Sequence, residues 1–386
     1  IYTYTWDLND EGLDLALDRI ANLAGCREVM LAVSYHLATY FLPHNPRRPI
    51  YYGGDGAVYF TPDLRRYRKT RIRPRVSPVV TGPDFLHRIV EAVHKHGLQF
   101  GAWIVYLFNH HLPATYPEFA KHDAFGNPYP GQLSPAPPDV QEYVVSMTQD
   151  IVENYRPAAV HVESLSRLHY SYGFQNPKVL SRIPPRAEFL LGLCFNPASL
   201  AQARAAGMDA EKFRQEVAAW LRPRLEKLPR RADLEPPTDA WIAEAFDGRL
   251  RQYLDAGSVH ATALWQRVAE VIHRGGAKLQ TILATPQDTV RSDLAVSVNP
   301  HIDRLTIDPV DGGDASRQHV RDQRRQIAPG GAVMVSLQPG QFTEPGPVEQ
   351  QVHAAVAAGA GGATFYNYGL LREEQLGFIG QALRTL

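Results

Sequence analysis

Short apolar runs that close on a polar residue alternate along this chain with longer stretches of helical period. Residues 2–6 alternate aromatic and β-branched side chains and close on Asp7, which reads as a strand. Residues 28–36 are almost continuously apolar before Tyr35 and His36, as strands buried on both faces of a parallel sheet are. Six more runs follow, over 98–108, 158–165, 278–285, 302–308, 332–338 and 363–368. Between them, spacings of three and four apolar residues predict helices over 10–23, 83–97, 139–155, 289–298, 316–327, 347–358 and 372–383. Residues 168–276 interrupt this rhythm with three helical segments (186–206, 209–228 and 239–274), broken at Pro197, Pro229 and Pro236-Pro237. A second long connection, 37–82, carries aromatic runs at 51–59 around a Gly/Asp turn and predicts a small hairpin.

Eight strand-helix units predict an α/β fold: a single (β/α)8 TIM barrel spanning 1–386, with long loops after strands 2 and 4 and the helical insertion 168–276 after strand 4. No Gly-x-Gly-x-x-Gly follows the first strand and no phosphate-loop motif occurs, so nucleotide-binding folds lose their usual support.

Composition narrows the function without changing the fold. Hydrophobic residues at 44% and charged residues at 21% describe a globular chain, and a formal net charge of zero gives no footprint for nucleic acid or anionic membrane. No run reaches the roughly 20 apolar residues of a membrane span. Cys26 and Cys194 both lie in apolar sequence and read as unpaired core thiols. Ile1 in place of an initiating Met leaves localisation open between the cytoplasm and export after leader removal.

In such barrels chemistry gathers at the carboxyl ends of the strands. The ends here are Asp7, Tyr35-His36, Asn109-His110-His111, Glu163, Thr285, Asp308, Gln338 and Tyr366-Asn367-Tyr368. Carboxylates, amides and aromatic faces with few cations suit a sugar, and two carboxylates closing apolar strands suit glycosidic-bond cleavage. Glu163 shares its strand face with His161, and Asp308 with Thr306. The expected pair is Glu163 as nucleophile or electrostatic stabiliser and Asp308 as general acid/base; Glu344, beyond strand seven, is the less favoured alternative. Substrate contacts are expected from Trp6, Asp7, His36, Tyr106, Asn109, His110, His161, Arg167, His169, Tyr172, Gln338, Tyr366 and Asn367. Asp7 also reads as a helix cap, and the basic run 65–75 as a solvated loop. No cofactor, metal, nucleic-acid or membrane partner is expected, and a homo-oligomer remains open. A metal-dependent hydrolase or isomerase using His36, His110, His111 and His161 is the second reading, although the first strand closes on Thr5-Trp6-Asp7 rather than on a His-x-His pair. A non-catalytic carbohydrate-binding barrel is the third.

Three stretches resemble glycoside-hydrolase-like TIM barrels, distant relatives of the α-amylase superfamily. They are Pro46-Arg47-Arg48-Pro49-Ile50-Tyr51-Tyr52 with Asp55-Gly56-Ala57-Val58-Tyr59-Phe60, then His161-Val162-Glu163-Ser164-Leu165, then His169-Tyr170-Ser171-Tyr172-Gly173 with Leu190-Leu191-Gly192-Leu193-Cys194-Phe195. The resemblance implies a carboxylate at the end of strand four, met by Glu163. Amylase-type members carry Asp there with Arg two residues earlier, where this chain has Glu163 and His161.

Overall fold

A computed structural model describes residues 1–53, 56–173, 177–282 and 296–386. Eight parallel strands hydrogen-bond in chain order: β1 (Tyr2–Tyr4), β2 (Glu28–Tyr35), β3 (Gln99–Val105), β4 (Ala159–Glu163), β5 (Lys278–Thr281), β6 (Arg304–Ile307), β7 (Ala332–Leu337) and β8 (Gly362–Phe365). Helices cover the outside, and β8 approaches β1 through the Tyr366 and Tyr4 hydroxyls, 2.8 Å apart, so the sheet curls into a nearly closed α/β barrel. The continuous apolar runs form strands because both faces are covered: Val29, Met30, Leu31, Ala32 and Val33 are all buried.

Strand register sorts side chains into layers inside the barrel. Tyr2 pairs with Met30 and Gly101 with Met30, so these share the inner face. Lowest lies the Arg304–Glu28 ion pair, with both bonds at 2.8 Å across the interior. Above it the Tyr2 hydroxyl meets His161 Nδ1 at 2.9 Å and accepts from Gln280 Nε2 at 3.0 Å. The top layer is aromatic: Tyr4 stacks on Trp103 with ring centres 5.7 Å apart, and Tyr366 lies beside both.

The first unit differs from expectation. β1 ends at Tyr4, and a helix over Thr5–Glu11 starts at once rather than at Asp10. Asp7 sits in its first turn and accepts from the Tyr4 backbone N–H at 3.1 Å, while the Thr5 hydroxyl donates to the Ala32 carbonyl at 2.7 Å. The Asp7 bond closes the helix start locally and the Thr5 bond ties its first turn to β2, so Trp6 and Asp7 belong to a helix and not to a strand end. The expected hairpin at 51–59 is likewise displaced. Ala38–Phe41 pairs antiparallel with Ile50–Gly53, and Ala57–Val58 instead joins Ser34 and Tyr35 at the end of β2. The Gly54-Asp55 turn, Thr285, and the helical piece expected at 289–298 up to residue 295 lie outside the described residues.

Among the described residues the insertion after β4 holds five α-helices: Pro185–Leu191, Pro197–Ala205, Ala210–Glu226, Asp239–Glu244 and Arg249–Arg274. The segment expected over 186–206 is two helices because Asn196 caps the second, accepting from the Ala198 N–H, with Pro197 at its first position. The segment expected over 239–274 breaks where Phe246, Asp247 and Gly248 all adopt positive φ. Phe213, Val217, Leu221, Leu190, Phe195 and Tyr253 form an apolar cluster separate from the barrel core. The long helix Arg249–Arg274 joins the two, burying Leu250 and Tyr253 in that cluster and Leu264, Trp265, Val268 and Ile272 in the barrel core. Each such fully buried side chain contributes roughly 1.5–3 kcal/mol. Among the described residues no helix is long and apolar enough to cross a membrane.

The C-terminal helix Glu373–Arg384 returns to the first unit at backbone contact. A Cβ on Gly380 would lie 2.0 Å from the Leu23 carbonyl oxygen. Ala is the better helix former by about 1 kcal/mol, but a main-chain oxygen cannot swing aside as a side chain can. Gly380→Ala is therefore expected to destabilise the protein by about 1–3 kcal/mol in urea unfolding. An unchanged midpoint would show that the two elements separate freely.

Candidate active site

Glu163 closes β4 on the inner face, two residues above buried His161. Its carboxylate Oε2 accepts the Trp103 indole N–H at 2.6 Å. The Tyr172 hydroxyl lies 3.5 Å from Oε1, at the outer limit of hydrogen bonding, and 3.1 Å from the Ser164 hydroxyl. Burial pushes the Glu163 carboxyl up from the ordinary range, and the Trp103 and Tyr172 donors oppose the shift without cancelling it. Among the described residues Glu163 makes no ion pair. Burial holds His161 down at about 3 and His36 at about 4, so both imidazoles are neutral near pH 7. The hydroxyls of Tyr4, Tyr35 and Tyr366 form a triangle with sides of 2.8, 3.3 and 3.4 Å. A carboxyl held this way is biased toward its protonated form.

The chain turns sharply after Glu163: Ser164 has a φ of 56°. It then runs as a rim loop over Phe108, whose ring packs edge-on against Tyr172 at 5.0 Å and lies 4.4 Å from His36. Of the residues expected at the site, the structure gathers Glu163, Tyr172, Tyr366 and His36 into this cluster. His169 stands at its edge, 5.3 Å from the Tyr172 ring, and His110 lies 5.0 Å from Phe108. Asp308 follows β6 in the inward row of Arg304 and Thr306, and its side chain is exposed with no hydrogen bond or ion pair among the described residues.

Others are placed elsewhere. Trp6 is fully buried against Tyr4, Tyr40, Tyr51 and Tyr59, and Asp7 is buried beneath Gly369. His161 is sealed inside the barrel under Trp103. Tyr106 points outward and bonds Thr148 of helix Pro138–Tyr155 at 2.9 Å. Asn109 accepts from the backbone N–H groups of His111 and Leu112 and donates to the Gly56 carbonyl, so it shapes a loop. Arg167 lies over the Phe189 ring of the insertion. Gln338 is exposed and accepts from Gln341, and Asn367 is buried, joined to Tyr366 by a cis peptide and accepting from the Gly369 N–H. Among the described residues, no three His, Cys, Asp or Glu side chains converge to hold a metal ion; His36 and His110 both flank the Phe108 ring, and His161 is sealed inside the barrel. Cys26 is buried, whereas Cys194, expected in the core, is half-buried and bonded to the Ser134 and Ser199 hydroxyls.

Trp103 and Tyr4 were not signalled by the strand ends expected from sequence, and Tyr35, though it closes β2, was not among the expected contacts. The alternation that placed Glu163 inward also carries Gly101 and Trp103 inward on β3, and was the usable signal.

Neither protein-family models nor curated proteins match the chain. Solved structures do. The catalytic domain of β-amylase from Paenibacillus polymyxa aligns over 100% of this chain and 97% of its own, with 13% identity and a TM-score of 0.56. The PgaB (BpsB) glycoside hydrolase domain from Bordetella bronchiseptica aligns over 95% and 92%, with 15% identity and a TM-score of 0.56. For α-L-fucosidase isoenzyme 2 from Paenibacillus thiaminolyticus the figures are 96% of this chain, 13% identity and a TM-score of 0.54, and the chain spans only 46% of that protein. At these identities the likeness is one of fold: the chain shares the α/β barrel on which these glycoside hydrolases are built.

Proposed function

We propose that the chain is a glycoside hydrolase or transglycosidase in which Glu163 is the general acid. The observation that carries this reading is the Trp103 N–H bond to a desolvated Glu163 carboxyl on the inward face of β4. In the proposed mechanism protonated Glu163 gives its proton to the glycosidic oxygen as the bond to the anomeric carbon breaks. The Trp103 indole then stabilises the carboxylate left behind. Asp308, exposed on the inward row of β6, is the second carboxylate. It takes a proton from the water that attacks the opposite face of the sugar. This exchanges the roles expected from sequence, because the acid must be the desolvated member of the pair. Aromatic faces at the mouth, Tyr366 and Tyr172, supply stacking surface for a pyranose ring.

The test is hydrolysis of a panel of aryl glycosides by the wild-type protein and by Trp103→Phe. The indole N–H favours the ionised form of Glu163, so removing it raises the pKa further. Activity requires the protonated acid, so the alkaline limb of kcat/KM is expected to move to higher pH by about one unit. An unmoved limb would dismiss Glu163 as the titrating acid. A folded wild-type protein that binds sugars and hydrolyses none would favour the non-catalytic carbohydrate-binding barrel.

A further inference from the structure

A buried cation outside this machinery holds the rim loop in place. The connection after β3 forms a small antiparallel hairpin, Ala120–His122 with Pro128–Leu133. Within it Lys121 is only 2% exposed and Gln132 only 1%. The Lys121 ammonium donates to Gln132 Oε1 at 3.0 Å and to the Leu168 carbonyl at 2.6 Å, and rests 4.7 Å from the centre of the Tyr129 ring. With its oxygen turned to the ammonium, the Gln132 amide presents its NH2 to the rim. There it donates to the carbonyls of His169 at 3.1 Å and Tyr172 at 3.2 Å. Burying an ammonium is costly unless its donors are satisfied, and an apolar residue would pack the hairpin without that cost. Here two of the donors are satisfied by Gln132 and the rim.

The far end of the same loop is fixed by shape. Gly173 has a φ of 72°, and a Cβ there would fall 2.0 Å from the Phe108 ring, so the loop lies flat on that ring. Between these two anchors Tyr172 is delivered to Ser164 and Glu163.

We propose that Lys121, acting through Gln132, is a positioning residue that seats Tyr172 against Glu163. This rests on the reading of Glu163 as the general acid. Without the ammonium, Gln132 loses the partner that orients its amide, three rim carbonyls lose charge-assisted or amide donors, and Tyr172 withdraws. Glu163 then loses a donor that favours its ionised form, and substrate loses a wall of the mouth.

The experiment compares wild type, Lys121→Met, Gln132→Ala, Tyr172→Phe and the Lys121→Met/Tyr172→Phe double variant. Met keeps the length of the lysine stem and lacks its donors. Lys121→Met is expected to lower kcat about tenfold with a smaller change in KM. Its alkaline limb should rise by about half a pH unit, matching Tyr172→Phe, and the double variant should move it no further. A limb left in place, or additive shifts in the double variant, would overturn the proposal and leave Lys121 a purely structural residue. Should Lys121→Met not fold, Gln132→Ala carries the same expectation, since it removes the amide that ties the His169 and Tyr172 carbonyls to the ammonium. Hydrogen exchange of amides 165–173 is read in parallel and needs no turnover. Exchange there should quicken in Lys121→Met and Gln132→Ala but not in Tyr172→Phe, and unchanged protection would overturn the latch whatever the protein's activity. Absence of glycoside turnover by wild type would instead sink the assignment of Glu163.

Discussion

Glu163→Gln is expected to lower kcat on aryl glycosides with poor leaving groups by about a thousandfold, within the 10²–10⁴ range of a positioned general acid. Gln has the same shape, and its carbonyl oxygen can still accept the Trp103 indole N–H, so the fold should survive. Removing a carboxyl that burial already opposes costs the native state little. What is lost is the proton. The loss should therefore shrink sharply for a dinitrophenyl glycoside, whose leaving group departs without protonation. Wild-type activity should fall above the raised pKa of Glu163, and this alkaline limb should vanish in the variant. An equal loss with good and poor leaving groups would move Glu163 back to the nucleophile's role expected from sequence. Undiminished turnover would remove it from the chemistry.

The barrel was legible because its strands are buried on both faces and its helices on one, and those two conditions write different periods into the chain. The same periodicity put Glu163 and Asp308 on inward rows. What it could not show was solvation. How far a carboxyl at a strand end is withdrawn from water, and which donors meet it, depends on side chains from other elements, as Trp103 on β3 and Tyr172 on the rim do for Glu163. That is why the proposed mechanism makes Glu163 the acid, where sequence alone pointed to Asp308. The end of β1 was misplaced for a local reason. Tyr2-Thr3-Tyr4-Thr5-Trp6 alternates as a strand should, yet Asp7 reaches back to the Tyr4 N–H and the helix starts at Thr5, while the alternation still runs to Trp6. The Lys121–Gln132 contact with the rim joins residues whose separation in sequence leaves no periodic trace.

Asp7 carries the largest expected effect on stability. It is fully buried, its Oδ2 accepts from the Tyr4 N–H and the Thr3 hydroxyl, and its Oδ1 has no hydrogen-bond partner among the described residues. Close by, Glu11 pairs with Arg19 at 2.9 Å and lies 3.0 Å from the His44 ring, and Asp10 pairs with Arg48. Asp7 has no such cation in contact, and burial foremost pushes its carboxyl up to about 8, with the Tyr4 N–H pulling the other way. The native state thus keeps a proton that the unfolded chain, titrating near 3.8, has already released. Between these values the native state binds more protons, so Asp7's contribution to stability is greatest below about pH 4 and declines as pH rises toward 8. At about 1.4 kcal/mol per pH unit the decline is on the order of 5 kcal/mol as an upper figure. Asp7→Asn removes the titration while keeping an oxygen for the Tyr4 N–H. The new amide NH2, placed where Oδ1 lacks a partner, costs about 1–3 kcal/mol, but that cost is the same at every pH. Urea unfolding at pH 5 and pH 8 should therefore show the wild type losing several kcal/mol between the two and Asp7→Asn losing far less. Equal losses in the two proteins would mean that Asp7 is ionised in the folded state, with a cation or water reaching it beneath Gly369.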